Sequence, residues 1–225
     1  MLLEADDVKQ ELDNFVIESN LELDYFFEVV NYIKEKEKNI LEFFDLDKLP
    51  NKVTILILSY KPFKNWIVSK YGEILDYISG DSDSETNCIR LLNIEDQKKY
   101  TRHKNADVDD IKKTVVHEIV HQCHHLYHKD YRQITWFSEG LAKNLANQGN
   151  KPVNLDDCDF IQLKNDFRHY EGNYGYASII VNYILNNYSK EEIKKFYSDP
   201  DYLRSNADRL FNEAKEYVIK KKNIY

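Results

Sequence analysis

Apolar side chains at Leu23, Phe26, Phe27, Val30 and Ile33 recur at the i, i+3, i+4, i+7 spacing of one helical face. They predict an amphipathic helix in the segment before Pro50, with Lys34-Glu35-Lys36-Glu37-Lys38 as its exposed end. Val53-Thr54-Ile55-Leu56-Ile57-Leu58 is short, apolar and rich in β-branched residues, and Pro62 closes it off, so it reads as a buried strand. Ser79-Gly80-Asp81-Ser82-Asp83-Ser84-Glu85 reads as a polar loop, without the ligand spacing of an EF-hand. Cys88-Ile89-Arg90-Leu91-Leu92-Asn93-Ile94 predicts a second strand. From Asp107 onward the pattern turns helical, with Asp107, Asp109 and Asp110 supplying cap and dipole-matching carboxylates. Gly140, Gly149 and Pro152 punctuate the chain beyond that helix. The run from Gly175 to Leu185 is too apolar to face water and predicts a core helix. Ser189 and Glu192 have capping-box spacing, and Ala207, Leu210, Phe211, Ala214 and Val218 mark a last helix. Strands are thus expected in the first half only, which gives an α+β chain.

Composition narrows the classes. With 225 residues, 42% hydrophobic and 31% charged, the chain can bury a substantial core. It has no apolar run long enough to span a membrane, and its acidic start does not read as a signal peptide, so a cytoplasmic location is expected. A net charge of −8 argues against nucleic acid or an anionic membrane as partner. The short Lys220-Lys221-Lys222 tail reads as a solvated helix end. Three cysteines without C-x-x-C spacing imply neither a disulfide framework nor a cysteine metal site.

Candidate chemistry sits in Val115-Val116-His117-Glu118-Ile119-Val120-His121. On a helix, residues four apart are separated by about 40° around the axis and about 6 Å along it. His117 and His121 can therefore hold one zinc ion from the same side. Glu118 falls about 100° away, beside the metal rather than on it, where a carboxylate can activate the attacking water. With His117 at 0°, Ile111, Val115, Leu126, Ile119, Cys123 and Val116 fall at roughly 120° to 260°, a packed back face. His124 and His128 form a second i, i+4 pair, but no acid flanks its first histidine. These extra histidines are expected at the solvent or the rim of a cleft.

Trp136-Phe137-Ser138-Glu139-Gly140-Leu141-Ala142 comes next. Together with the H-E-x-x-H helix it resembles the gluzincin branch of zinc metallopeptidases, in a W-F-x-E-G-x-A context. The resemblance covers roughly residues 107–188 and implies Glu139 as the third zinc ligand. Two neutral imidazoles and one carboxylate would leave the site at net charge +1 with an open position. Gly140 would let helices approach closely, with Trp136 and Phe137 wedged into the core. Similar enzymes use a tyrosine or histidine to stabilise the oxyanion, which singles out Tyr174 and Tyr176 among 17 tyrosines. The family places a sheet before the active-site helix and binds extended peptide along its edge strand, here expected at 86–94. The aminopeptidase G-x-M-E-N motif is absent, because the one methionine is Met1.

The expected protein is a zincin-like single domain over 1–225. It has N-terminal helices over 1–49, a β-containing lobe with a small mixed sheet and the active-site helix over 50–128, and a mostly helical lobe over 129–225. The expected activity is that of a zinc-dependent endopeptidase acting on a peptide or protein substrate. The alternative is a catalytically inactive peptidase-like domain that binds zinc or peptide as a regulator.

Overall fold

Val53, Ile55 and Ile57 alternate with more open positions and lie at the middle of a sheet, where both neighbouring strands satisfy their backbone groups. The computed structural model describes residues 8–149 and 153–222. The acidic start over 1–7 and Pro152 lie outside the described residues. The chain divides into two compact units, 1–123 and 124–225.

The first unit is built on five strands: β1 (Val8–Glu11), β2 (Phe15–Ser19), β3 (Val53–Leu58), β4 (Gly80–Asp83) and β5 (Cys88–Leu92). Their spatial order is β1-β2-β3-β5-β4. The central β2, β3 and β5 run parallel, and β1 and β4 pair antiparallel at the two edges. Parallel neighbours need crossovers. Helix α1 (Phe26–Phe43) joins β2 to β3, and α2 (Tyr60–Tyr71) follows β3. A short helix, α3 (Ile94–Tyr100), and then the long α4 (Val108–His125) complete the unit, with the last two residues of α4 assigned to the second. One face of the sheet packs Leu58 and Leu92 against Phe63 and Ile67 of α2. The opposite face carries Phe15, Ile17, Ile55, Ile57, Ile89 and Leu91, all fully buried.

Two expectations are corrected. The segment before Pro50 is not helical throughout, because β1 and β2 precede α1. Phe15 and Ile17 alternate with Val16 and Glu18 at a period of two, which suits a strand. The edge strand is not the stretch 86–94. β5 lies between β3 and β4, and the edge is β4, inside the expected polar loop. A short polar strand is what a sheet edge tolerates. It is tied to α2 through the buried Asp81, whose carboxylate accepts from Trp66 Nε1 at 2.7 Å, Tyr71 Oη at 2.7 Å and Lys70 Nζ at 2.9 Å.

The second unit is helical throughout its described residues. After α4 come α5 (Thr135–Leu145), a 3₁₀ turn at Leu155–Asp157, α6 (Phe160–Asn165), a second 3₁₀ turn at Phe167–His169, and α7 (Asn173–Asn187). α8 (Lys190–Ser198) and α9 (Pro200–Lys222) finish it. Ser189 and Glu192 make the expected capping box at α8. Ala177, Ile180, Val181 and Ile184 make α7 a core helix, as its apolar run predicts. The whole is an α+β chain with a small mixed sheet. Among the described residues no helix is long and apolar enough to cross a membrane.

Candidate metal centre

The helix that carries the histidines starts on a reciprocal cap. Asp110 N–H donates to Asp107 Oδ1 at 3.0 Å, and Asp107 N–H donates to Asp110 Oδ2 at 3.1 Å. Each bond satisfies a donor that the first helical turn leaves open. Ile111, Val115, Val116, Ile119 and Cys123 are buried, so the back face is packed as the periodicity requires. Leu126 departs from that reading and is 43% exposed. It lies one residue beyond His125, where the helix has ended and the 100° progression no longer holds.

His117 is buried and His121 partly open. Their rings meet edge-on at 4.7 Å between centroids, and their Nε2 atoms are 3.0 Å apart. Two nitrogens held by one zinc ion at ~2.0–2.1 Å in tetrahedral geometry would stand about 3.3 Å apart, so the pair fits a shared ion. Glu139 completes the group: one ligand atom from each of His117, His121 and Glu139 lies within 4.8 Å of the others. Two imidazoles and a carboxylate are a donor set that suits zinc.

Glu118 is buried next to His117, and β4 sets its surroundings. A Cβ built on Gly80 would lie 3.4 Å from Glu118 Cγ, 3.0 Å from Leu91 Cδ2 and 2.6 Å from Thr114 Cγ2. Two residues on, Ser82 Oγ accepts from Gln122 Nε2 at 2.7 Å. The edge strand therefore runs along α4 at the carboxylate. Sequence reading missed Gly80, and the only signal for it was a glycine within a polar stretch. Gly80→Ala is expected to cost about 1 kcal/mol by crowding Thr114 Cγ2 and Leu91 Cδ2. Thermal unfolding measures the loss, and a Tm equal to that of wild type would contradict it.

Glu139 projects from α5, whose flanking residues are locked. Trp136 and Phe137 are fully buried, and Trp136 Nε1 donates to the Gln133 carbonyl at 3.0 Å. Gly140 does permit a close approach, and its partner is α7. A Cβ there would meet the Ala177 carbonyl oxygen at 2.5 Å and Val181 Cγ2 at 2.6 Å. Asn144 strengthens the same contact by donating to the Ser178 carbonyl at 3.0 Å. Burial, reinforced by the negative charge of Glu139, raises the Tyr131 phenol above its ordinary range and keeps it protonated. Burial lowers the Lys143 ammonium, and Glu139 opposes that shift.

Tyr174 and Tyr176 both lie in the first turn of α7. Tyr174 is 39% exposed and packs edge-on against Phe167 at 5.3 Å. Tyr176 is buried against Tyr170 and crosses the open side of Gly172. Burial raises its phenol above the usual range.

The second histidine pair differs from expectation. His124 faces neither solvent nor a rim, since it is fully buried. Its Nε2 lies 3.1 Å from the Tyr197 carbonyl oxygen and its Nδ1 lies 3.1 Å from Ser138 Oγ. Helical angles alone put it on the histidine face, and packing from α5, α8 and the Tyr131 ring encloses it. No family model matches the chain, and no curated protein matches it.

Proposed function

We propose that this protein is a zinc-dependent hydrolase of peptide bonds, a zincin-like endopeptidase in which His117, His121 and Glu139 hold the metal and Glu118 is the general base. The observation that carries the reading is the grouping of those three donors within 4.8 Å, with a buried carboxylate next to the first of them. Zinc bound there would supply a Lewis acid of net charge +1 that polarises a carbonyl and acidifies water.

The chain's own groups supply the rest. Glu118, which is outside the donor set, accepts a proton from the attacking water and returns it to the leaving amine. Gly80 of β4 lies beside its side chain. A tetrahedral oxyanion calls for a further hydrogen-bond donor. A tyrosine at the start of α7, Tyr174 or Tyr176, is the proposed source. β4 is a sheet edge, and its outward backbone groups, apart from the Ser82 carbonyl that Lys70 Nζ bonds at 3.0 Å, are available to an extended peptide alongside Glu118.

Metal analysis tests the centre. Wild-type protein is expected to bind one equivalent of zinc, and His117→Ala or Glu139→Ala to lower the affinity by several orders of magnitude. Full occupancy in Glu139→Ala would assign the third ligand elsewhere. Zinc binding with no cleavage of any peptide in a diverse library would favour a binding module over an enzyme.

A further inference from the structure

We propose that His124 is a positioning residue for Glu139, acting through Ser138; this rests on the reading of Glu139 as a metal ligand. A backbone carbonyl can only accept, so at Tyr197 it is His124 Nε2 that carries the proton and donates. Nδ1 is then the bare nitrogen, and it accepts from the Ser138 hydroxyl at 3.1 Å. His128 Nε2 lies 2.9 Å from the same His124 Nε2. This tautomer leaves His124 Nε2 no lone pair for a metal, so His124 is a strut between the Tyr197 carbonyl and Ser138.

The strut ends one residue before Glu139. On the other side, one residue after it, Gly140 lies against the Ala177 carbonyl. α5 is thus held at 138 by a directional hydrogen bond and at 140 by close packing, with the ligand carboxylate between the two. Phe137 adds an edge contact to the His124 ring at 6.1 Å between centroids. A helix turned by about 10° carries a glutamate carboxylate roughly 1 Å, which is beyond the tolerance of a metal site. Removing the directional bond loosens α5 at the residue next to the ligand, while Trp136, Phe137 and Gly140 still pack it in place. Groups that orient a metal ligand typically change affinity by about 10- to 100-fold when lost.

The test compares zinc affinity, measured by competition with a chromophoric chelator, with thermal unfolding of the metal-free protein. The variants are Ser138→Ala, His124→Asn and His124→Gln. Asparagine keeps an acceptor near the place of Nδ1, and glutamine keeps a donor near the place of Nε2. Ser138→Ala and His124→Gln are expected to weaken zinc binding by about 10-fold or more at a temperature where the metal-free protein is fully folded. His124→Asn is expected to stay within a few-fold of wild type, although it loses the Tyr197 bond and some thermal stability. Wild-type affinity in Ser138→Ala overturns the proposal, and so do equal losses in the two His124 variants. Ser138→Ala keeps the test decisive if the His124 variants do not fold. Wild-type protein with no zinc affinity overturns the metal reading itself and this inference with it, whereas tight wild-type binding that Ser138→Ala leaves unchanged overturns this inference alone.

Discussion

Glu118→Gln is expected to lower turnover by at least about 100-fold while zinc content stays at the wild-type level. Glutamine has nearly the shape of glutamate, so it fits the same buried place on α4 beside Gly80 of β4. What it lacks is a site that takes up a proton at neutral pH. The three donors grouped around the metal position are His117, His121 and Glu139, and Glu118 is outside that set. The variant therefore separates proton transfer from metal binding. Turnover of a cleaved peptide and zinc per chain should be measured on the same preparation. Unchanged turnover would remove Glu118 from the mechanism, and a parallel loss of zinc would make it a ligand.

The second large effect is structural. Gly140→Ala places a methyl group 2.5 Å from a backbone oxygen of α7 and 2.6 Å from Val181 Cγ2. A side-chain end can rotate away, but the Ala177 carbonyl is part of a helix ladder and cannot move alone. α5 and α7 must separate, which is expected to destabilise the protein by about 2–3 kcal/mol. In a chain of this size each kcal/mol corresponds to roughly 2–4 °C in Tm. Calorimetry of the metal-free variant measures the loss. A Tm within about 2 °C of wild type, well short of the predicted shift, would mean that the two helices do not meet closely at this residue.

How much of this was legible in the chain depended on the length and regularity of each pattern. The histidines of α4 could be placed because one periodicity fixes both the packed face, Ile111 to Cys123, and the face bearing His117 and His121. β3 and α7 were equally clear, being continuous apolar runs of the right lengths. β4 was not, because Gly80-Asp81-Ser82-Asp83 has no apolar alternation. Its strand character comes from pairing with β5 and from the α2 side chains that bond Asp81. The placement of β5 inside the sheet was hidden for the same reason. Tyr174 and Tyr176 are expected just before the apolar helix and lie in the first turn of α7; they could not be ranked, since exposure separates them and spacing does not. The burial of His124 comes from Ser138 and Tyr197, which are 14 and 73 residues away in the chain. Local periodicity carries no information about such partners.

The packed back of α4 has a chemical side as well. Burial pushes the Cys123 thiol up to about 12, and the Cys88 thiol on β5 up to about 11. Near neutrality almost no thiolate exists at either position, so alkylating reagents and mild oxidants find no nucleophile there while the core is closed. Cys123 is two residues from His121, on the side of the helix turned from the histidines. Its modification would mark the moment at which that helix lifts from its bed.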